Sequence, residues 1–412
     1  MENLRRRKLN EKRVLNGNEK RVYKKIPKAN GKSLALITIG LLLFLAIVTS
    51  VLIIFLPDSI QSYSYKYDEV RPALTGALQH NDILTRVERK AYNELVGPES
   101  FAHYNNEIYT STKKGIFKLK ESRIEFVARI GKPPCDSLDD EDTCGRPLGI
   151  EFNSHGLLYI VDSYLGIYTV NVTSTIKKID TILDKAYLNS RNIKFLNSLQ
   201  LDEKNDIYFT SSSTKWNRKD FMKAILEARP DGKVYKYNPK TKELNVAVDG
   251  LIFPNGLLIS PNHDYLLISE SVKARILKFN LRGPNKGKLE VFASNLPLIP
   301  DNIKYNSKGN IWVAAASIRA QGFFSPLDSL APYPQLKRYL FKLIDPSWIS
   351  MLLPKYGLIV ELDGKTGKII RSFHDPKGRY VFAISEAHEF NNKLYLGSYV
   401  TPFYSVLNLD KL

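Results

Sequence analysis

From residue 96 onward the chain alternates short apolar runs with polar turns, and one unit of this pattern returns six times. Each unit has a turn, an apolar run, a few polar residues and then a second apolar strand centred on a bulky side chain. The second strands are Ile108–Thr110, Leu158–Ile160, Ile207–Phe209, Leu266–Ile268, Ile311–Val313 and Leu394–Leu396. Short apolar and β-branched runs bounded by turn residues are typical of β-strands. The pattern therefore predicts an all-β domain made of six repeats.

The spacing of the repeats favours one all-β architecture. Six units of two to four strands, mostly 45 to 60 residues apart, predict a six-bladed β-propeller over residues 96 to 412. A β-sandwich would not renew the same order of turn and strand so regularly. The fifth unit is interrupted by an insertion at residues 321–355, whose apolar residues recur at helical spacing beside Lys337, Arg338 and Lys342. This insertion could cap the central tunnel, rest on a membrane surface or pack on the side of the propeller.

A long apolar segment precedes the repeats. Leu34 to Leu56 contains 23 apolar or small residues without a charge, and as a helix it would rise about 34 Å, enough to cross a hydrocarbon layer of about 30 Å. It is too long for the apolar region of a signal peptide and lacks a small-residue cleavage pattern. We therefore expect a transmembrane signal-anchor helix at residues 33–56, after a cytosolic basic tail at 1–32 and before a stalk or N-terminal packing segment at 57–95.

The net charge of +18 is concentrated in the basic tail, where residues 1–32 hold twelve Lys or Arg against three Glu. Because this tail leads directly into the apolar segment, it indicates membrane topology rather than nucleic-acid binding. The positive-inside rule predicts a single-pass type II membrane protein. The propeller would then be extracellular or lumenal, at the plasma membrane or in the endoplasmic reticulum, and we expect no nucleic-acid partner.

The cysteines and the sequon fit that compartment. Cys135 and Cys144 lie nine positions apart in an acidic loop, and in an oxidising lumen a disulfide between them would stabilise the fold by roughly 2.5 to 3 kcal/mol. The alternative, a metal-binding thiol pair, would normally need more Cys or His nearby. Asn171-Val172-Thr173 forms an N-x-[ST] sequon, which predicts a glycoprotein with its glycan on Asn171.

Four of the six repeats carry an oxygen-bearing side chain in the turn before the second strand. Glu99, Asn197, Asn255 and Asp301 lie 9, 10, 11 and 10 residues before Ile108, Ile207, Leu266 and Ile311. In a propeller these equivalent positions converge on the axis, so we expect the four side chains to face one another. Carboxylate and amide oxygens suit Ca²⁺ rather than Zn²⁺, and Asn302 is a further candidate ligand. Alternatively, Pro-Asn-Gly and Pro-Asp-Asn are ordinary turn sequences.

The remaining candidate residues carry weaker signals. Arg146 could bind an anionic group near the axis or be a surface residue. Glu386 and His388 could form an acid/base pair or be polar residues of a turn. The serine run at 211–213 lacks a G-x-S-x-G motif, and the six histidines form no triad pattern, which argues against a serine hydrolase.

Several motifs together carry a resemblance to a known family. They include GPES at 97–100, CGRPLGI at 144–150, VDSYLGIYTV at 161–170, IYFTSSSTKW at 207–216, FPNGLLIS at 253–260 and LYLGSYVTPF at 394–403. With them the chain resembles the strictosidine synthase-like family and, within it, the adipocyte plasma membrane-associated group that includes the insect hemomucins. The similarity covers essentially everything after residue 90, together with the basic tail and the anchor. It implies a six-bladed propeller related in fold to calcium-dependent lactonases such as paraoxonases and gluconolactonases, whose calcium ligands match Glu99, Asn197, Asn255 and Asp301.

The chain departs from its better-known relatives at three positions. Ser385 stands where strictosidine synthase has its catalytic glutamate, so strictosidine synthase activity is not expected. Leu148 replaces a histidine of the paraoxonase dyad. Ser198 replaces an aspartate that helps paraoxonases to hold a second, structural calcium.

These observations predict a membrane-anchored, arylesterase-like hydrolase that acts on a small ester or lactone. An axial Ca²⁺ would polarise the substrate carbonyl. Asp301 and Glu99 are the candidate catalytic residues, and Asp301 is the better candidate to direct or become the nucleophile. The alternative is a non-catalytic propeller that binds a protein, glycan or lipid partner, with a vestigial or structural metal site.

Overall fold

The computed structural model describes residues 31–121 and 123–412. These residues divide into two compact units, one ending at Leu56 and one covering Pro57–Leu412. In the first unit, helix α1 spans Gly31–Phe55. Within the described residues, its segment Ala35–Phe55 is the one stretch long and apolar enough to cross a membrane. All but the last two residues of the basic tail predicted at 1–32 lie outside the described part of the chain.

The second unit contains six four-stranded antiparallel sheets, which confirms the predicted six-bladed propeller. A short strand precedes the first complete sheet, namely β1 (Glu88–Lys90). The strands of blades one to three are β2 (Phe101–Tyr104), β3 (Glu107–Thr112), β4 (Gly115–Leu119) and β5 (Ile124–Ala128); β6 (Pro147–Phe152), β7 (Leu157–Asp162), β8 (Gly166–Asn171) and β9 (Ile179–Asp184); and β10 (Leu196–Leu201), β11 (Ile207–Ser211), β12 (Gly232–Asn238) and β13 (Glu243–Leu251). Those of blades four to six are β14 (Pro254–Ile259), β15 (Tyr265–Glu270), β16 (Arg275–Asn280) and β17 (Leu289–Ala293); β18 (Leu298–Tyr305), β19 (Ile311–Ile318), β20 (Gly357–Leu362) and β21 (Ile369–Asp375); and β22 (Ile384–Phe390), β23 (Lys393–Ser398) and β24 (Tyr404–Asn408).

Short helices occur in the connections between strands. They are α2 (Glu141–Cys144), α3 (Lys185–Ser190), α4 (Phe221–Glu227), α5 (Pro326–Leu330), α6 (Pro334–Leu343) and α7 (Ile349–Leu352). The 3₁₀ turns are Gly76–Leu78, Ile83–Arg86, Arg218–Asp220, Ser271–Lys273, Pro346–Trp348 and Leu409–Lys411. The insertions of blades three and five thus hold α4 and α5–α7 respectively.

Blade six is completed by the start of the propeller unit. Its fourth strand is β1, which pairs antiparallel with β24 through Glu88↔Val406 and Lys90↔Tyr404. The division of the sequence at residue 96 had left this strand outside the propeller, because its charged residues, Glu-Arg-Lys, show no apolar alternation. Pairing a strand from the start of the propeller unit with one from its last blade closes the ring of six blades.

Apolar side chains hold the ring together between neighbouring sheets. A buried cluster fills each of the six spaces between adjacent blades; between blades four and five, for example, Leu267 and Ile276 pack with Ile303, Val313 and Leu358. Each such side chain stabilises the fold by roughly 1.5 to 3 kcal/mol when fully buried. Every blade therefore depends on both neighbours, and the inner strands are fixed around a common axis.

Two further apolar clusters lie over one end of that axis. One joins Tyr65 to Leu148, Phe195 and Phe253, and the other joins Met222, Ile299, Leu327, Phe341 and Ile349. They link the insertions of blades three and five to the ends of the inner strands. The insertion at 321–355 therefore caps the axis.

The segment between α1 and β1 packs on the same cap. The backbone N–H of Tyr63 donates to the Glu227 carbonyl at 2.9 Å, and that of Tyr65 to the Ala331 carbonyl at 3.3 Å. Leu78 and Leu84 are buried further along the segment. Residues 57–87 thus lie on the propeller and do not extend from it as a free stalk.

The cysteine loop and the sequon lie on blade two. Cys135 and Cys144 form a disulfide, as predicted, with their Cα atoms 5.5 Å apart. Asn171 is exposed at the end of β8. Its Oδ1 accepts a hydrogen bond from the Thr173 hydroxyl at 2.7 Å. The side chain of Asn171 is therefore accessible from solvent.

Candidate metal centre on the propeller axis

The four predicted ligands lie where the inner strands begin, and there the strand pairing is irregular. The register between the first two strands shifts at 147–150, 196–199, 254–257, 300–303 and 384–387, in blades two to six. Such bulges redirect side chains out of the normal alternation. Asn197, Asn255 and Asp301 all fall inside these shifts, and Glu99 lies two residues before β2. These three side chains of irregular backbone and Glu99 of blade one, whose strand pairing is regular, line one cavity.

Three oxygens in this cavity have no partner within the protein. Oδ1 of Asn197, of Asn255 and of Asp301 are buried and accept no hydrogen bond from the described residues. Buried polar atoms are nearly always satisfied, and each exception costs about 1 to 3 kcal/mol. Three unsatisfied acceptors from three blades, all lining one cavity, form an arrangement that a bound cation would satisfy.

Glu99 differs from the other three because it already has a partner. Arg146 is only 1% exposed, and its Nη2 donates to Glu99 Oε2 at 3.1 Å. The interpretation of Arg146 as a surface residue is therefore wrong, and its guanidinium supplies positive charge next to the axis. Nε and Nη1 of Arg146 have no acceptor among the described residues. The centre thus contains two carboxylates and one buried cation.

Burial dominates the electrostatics of this centre. It raises the pKa of Glu99, although the charges of Arg146 and Arg218 oppose the shift. The pKa of Asp301 is raised well above its usual value, first by burial and then by the charge of Glu99, while a hydrogen bond with Asn255 opposes this. Burial lowers the pKa of Arg146 to about 10. A divalent cation would stabilise the charged forms of these two buried carboxyl groups, which otherwise repel each other.

The donor set fits a hard cation. Among the described residues, no three His, Cys, Asp or Glu side chains are grouped as metal ligands, so the two amide oxygens must contribute. Mixed carboxylate and amide oxygens, completed by water, are the donors that Ca²⁺ takes. Asn302, the fifth predicted ligand, is buried but does not line the cavity. The residues that could hold the ion are therefore Glu99, Asn197, Asn255 and Asp301.

The cavity beside these oxygens has a volume of about 100 Å³ and mostly apolar walls. The inner strands and the residues before them contribute Leu148, Phe195, Phe253 and Ile299. The insertion of blade three contributes Phe221, Met222 and Ile225, and that of blade five contributes Phe324, Leu327, Ile349 and Leu353. The cap therefore makes one side of the cavity, and a ligand there would be largely removed from water.

Two polar residues of the wall were not predicted from the sequence. Tyr399, after β23, faces the cavity, and burial together with the charges of Asp301 and Glu99 keeps the pKa of its phenol well above its usual value. Arg218 also lines the cavity, and its Nη1 donates to Glu141 Oε1 at 2.8 Å. Both come from irregular segments outside the repeated pattern, and the sequence gives no signal that brings them to the axis.

Among the described residues, blades two and six place no carboxylate or amide oxygen in the cavity, and Tyr399 is the polar side chain that blade six adds. Blade two contributes Leu148. In blade six, Ser385 Oγ donates to the Glu99 carbonyl at 2.7 Å and so fixes the backbone of that ligand. Glu386 accepts hydrogen bonds from Ser100 Oγ and Phe101 N, both at 2.7 Å.

The candidate acid/base pair of blade six is not joined by a hydrogen bond. His388 instead lies 3.0 Å from His103, measured between ring nitrogens. Neither histidine lines the axial cavity. The structure therefore separates Glu386 and His388 into different hydrogen-bonding networks.

The serine run has a structural role that the repeated fold explains. Ser212 Oγ donates to the Pro254 carbonyl of the next blade at 2.7 Å and accepts from Asn197 Nδ2 at 3.3 Å. Ser211 Oγ donates to the Lys194 carbonyl at 2.6 Å. Because the amide nitrogen of Asn197 is engaged by Ser212, its oxygen is the atom left for a ligand.

The fold and the centre together define a capped six-bladed propeller with an oxygen-lined axial site, and comparison with known proteins identifies its family. The strictosidine synthase family matches residues 197–284. An adipocyte plasma membrane-associated protein of Danio rerio is 39% identical and covers 100% of this chain and 99% of its own length. That of Gallus gallus is 42% identical over 82% of each chain, and the hemomucin of Drosophila melanogaster is 32% identical over 79% of this chain and 61% of its own. The chain belongs to the adipocyte plasma membrane-associated protein family.

Among solved structures, a gluconolactonase from Xanthomonas campestris is similar with a TM-score of 0.51 and 13% sequence identity. The match covers 85% of this chain and 98% of that one. At this identity the similarity supports the propeller fold alone.

Proposed function

We propose that the protein is an esterase that hydrolyses apolar carboxylic esters or lactones at the axial centre, with Glu99, Asn197, Asn255 and Asp301 holding a calcium ion. The observation that carries the proposal is the set of three buried, unpartnered oxygens of Asn197, Asn255 and Asp301. They lie at the end of an apolar cavity of a size suited to a small acyl group. An active site of this kind combines a few convergent polar groups with apolar walls.

When bound, calcium would polarise the ester carbonyl and stabilise the negative charge that develops on its oxygen. The chain's own groups have distinct tasks around it. The amide oxygens of Asn197 and Asn255 would hold the ion, and Arg146 holds Glu99 in place. Asp301 carries the carboxylate oxygen that either accepts a proton from the attacking water or attacks the carbonyl carbon itself. Tyr399 stays protonated at neutral pH and can donate a hydrogen bond to the leaving oxygen.

The walls of the cavity select the substrate class. Phe195, Phe221 and Phe253 surround the space next to the ligands, and the cap residues Leu327 and Ile349 lie across it. These side chains would favour an aryl or alkyl ester over a charged or sugar-like one, because burying polar groups there without partners is costly.

The helix α1 sets where this activity takes place. We take it as a membrane anchor with the propeller on the extracellular or lumenal side, as the basic residues that precede it indicate. The relatives from Danio rerio and Gallus gallus are named plasma membrane-associated proteins, which supports the membrane location. The substrates would then be extracellular, lumenal or membrane-derived esters.

One observation favours the alternative of a binding propeller without catalysis. The carboxylate of Glu99 is already neutralised by Arg146, and none of the described histidines lines the cavity to act as a base. A structural calcium and a bound ligand would satisfy the same three oxygens. The two functions differ in turnover, which can be measured directly.

The test is hydrolysis of an aryl acetate by the purified full-length chain in detergent. We expect a rate that is lost on chelation and restored by added calcium, and a fall of about a hundredfold or more for Asp301→Ala, since removing one group that acts in the transition state has effects of this size. Glu99→Ala should weaken calcium binding. Asp180→Ala, which removes an exposed carboxylate paired only with Lys178, is the matched control.

The outcome decides between the two functions. A hydrolysis rate that is unchanged by chelation, or unchanged in Asp301→Ala, would contradict the catalytic proposal. Calcium binding with no turnover over a panel of esters and lactones would favour the binding propeller.

A further inference from the structure

Helix α6 buries Phe341 and a lysine against the propeller and leaves other apolar residues exposed. It buries Lys337, which is 1% exposed, and it exposes Leu336, Tyr339 and Leu343, which are 53%, 42% and 60% exposed. Lys337 Nζ donates to the carbonyls of Tyr63 at 2.9 Å and Leu226 at 3.0 Å, so the cation is satisfied inside. The three apolar residues are spaced i, i+3 and i+7 and therefore share one face of the helix.

Further exposed apolar residues follow α6 directly in the same insertion. Trp348, Met351 and Leu352, in the turn and helix that follow, are 60%, 73% and 58% exposed. We call the six residues Leu336, Tyr339, Leu343, Trp348, Met351 and Leu352 the cap face. Exposed apolar residues elsewhere in the described propeller, such as Phe126, Val246 and Val291, belong to the outer strands of different blades. Contiguous apolar patches on soluble surfaces mark binding sites far more often than scattered residues do.

The chain itself indicates what covers this face. The Asp58 carboxylate pairs with Arg338 of α6, Nε and Nη2 both at 2.8 Å, and with Lys342 at 3.3 Å. Ser59 Oγ donates to the Phe341 carbonyl at 2.5 Å. Asp58 follows Phe55, the last residue of α1, by three positions, and three residues of extended chain reach at most about 11 Å. With α1 in a membrane, that short tether keeps α6 close to the lipid surface.

We propose that the cap face inserts into the interfacial layer of the bilayer in which α1 is anchored. Its composition suits that location, since Trp and Tyr are enriched at the headgroup level and Leu and Met favour the acyl boundary. The proposal goes beyond the esterase function and depends only on the anchor, so it stands or falls separately from turnover. Ile349 and Leu353 of the same cap line the axial cavity.

Trp348 provides a direct probe of this contact. The chain has three tryptophans; Trp312 is wholly buried, Trp216 is partly buried, and Trp348 is on the cap face. The full-length protein would be reconstituted into phosphatidylcholine vesicles with and without bromine on the acyl chains. We expect brominated lipid to quench the protein fluorescence, and Trp348→Phe to lose most of that quenching. Acrylamide in the aqueous phase should quench the Trp348 component weakly.

A paired variant separates insertion from a general effect of the membrane. Leu343→Asp with Met351→Asp alters two exposed positions and should abolish the quenching by brominated lipid while leaving the fold intact. Val246→Asp with Val291→Asp changes two residues of similar exposure, 50% and 54%, on outer strands, and should leave the quenching unchanged. Circular dichroism of both pairs verifies the fold.

Two results would overturn the proposal. In the first, Trp348 remains accessible to acrylamide and is not quenched by brominated lipid, so the face is bare. In the second, Trp348 is protected from acrylamide without bromine quenching, and the protection weakens as the protein is diluted in lipid. That result would identify a second copy of the chain as the occupant.

Discussion

The two ends of the central tunnel are built from the same six strands but satisfy their polar groups differently. At the capped end, the oxygens of Asn197, Asn255 and Asp301 have no partner among the described residues. At the far end, Lys304 lies three positions after Asp301 in β18, and Glu151 lies three positions after Leu148 in β6. Three positions correspond to about 10 Å at the rise of a strand. Lys304 Nζ lies 3.2 Å from Glu151 Oε2. Gln200 Nε2 also donates to that oxygen at 2.9 Å.

The polar side chains of the far end are therefore partners of one another. His103 and His388 pair there at 3.0 Å, and Gln200 Oε1 accepts from Ile259 N at 3.1 Å. Within the described residues, the one buried side-chain atom of that group without a partner is Nδ1 of His388. The two ends also differ in burial, since Lys304 and Glu151 are partly exposed. Among the described residues, the polar groups of the far end pair with one another, whereas oxygens from three blades stay unpaired in one cavity at the capped end.

Calcium should test this difference with the largest effect. If the capped end binds a cation, calcium at a thousandfold excess over its Kd should stabilise the protein by about 4 kcal/mol. Asn255→Ala should lose most of this gain. In the calcium-free protein it removes only the hydrogen bond between Asn255 and Asp301, so the loss there should be about 1 kcal/mol. Urea unfolding with calcium and with chelator measures both quantities.

The far end supplies the control for calcium. Gln200→Ala should destabilise the protein in both conditions and leave the calcium increment intact. An Asn255→Ala variant that keeps the full increment would remove the distinction between the two ends.

Glu386 lies between the two ends and should make stability depend on pH. Burial raises its pKa from 4.5 to about 7, although the charge of Lys304 opposes the shift. Between those values the folded protein keeps a proton that the unfolded chain releases, so stability falls as the pH rises through this range. At about 1.4 kcal/mol per unit, the loss is on the order of 3 kcal/mol.

Glu386→Gln removes the titrating group and keeps the shape. In calcium-free buffer, we expect the stability of the variant relative to the native protein to increase from pH 5 to pH 8. Two unfolding curves that change with pH in parallel would show that Glu386 does not carry this dependence.

At the far end, removal of the cation should be costly whether or not calcium is present. Lys304→Met leaves the carboxylates of Glu151 and Glu386 without their shared positive neighbour. We expect a loss of about 2 kcal/mol, below the value for a wholly buried ion pair because Glu151 is partly exposed. Lys178→Met breaks a pair whose side chains are 79% and 57% exposed and should show no measurable change. A calcium-dependent loss in Lys304→Met would mean that the two ends are coupled.

The sequence predicted the parts of this picture that repeat. The apolar strands and their spacing predicted six blades, and the shared turn position predicted that Glu99, Asn197, Asn255 and Asp301 meet. That inference works because equivalent positions of a closed ring converge by symmetry. The bulges that contain Asn197, Asn255 and Asp301 have no distinct sequence signal.

What the sequence did not predict depends on contacts between distant and irregular segments. Strand β1 is recognisable only through its pairing with β24, since three charged residues do not look like a strand. Arg146, Arg218 and Tyr399 reach the cavity from loops whose paths are set by tertiary packing. The position of the insertion at 321–355 could not be predicted, because helical spacing defines an apolar face but does not identify what packs against it.

Two adjacent serines test, with the smallest expected effect, whether a neighbouring hydroxyl keeps the Asn197 oxygen unpaired. Ser212 orients the Asn197 amide and the Pro254 carbonyl, whereas Ser213 Oγ accepts from the backbone N–H of Lys215 and Trp216, both at 3.1 Å, in the insertion of blade three. Each change to Ala should cost about 1 kcal/mol, the net contribution of a hydrogen bond. Only Ser212→Ala should also weaken calcium binding, by about tenfold as for other residues that orient a metal ligand, because the freed amide of Asn197 can turn its nitrogen toward the site. Calorimetric titration of both variants measures this difference in calcium affinity.

Equal affinities in the two variants would mean that the bulge alone fixes the orientation of Asn197. The unpaired oxygen would then be a consequence of the backbone rather than of the neighbouring hydroxyl.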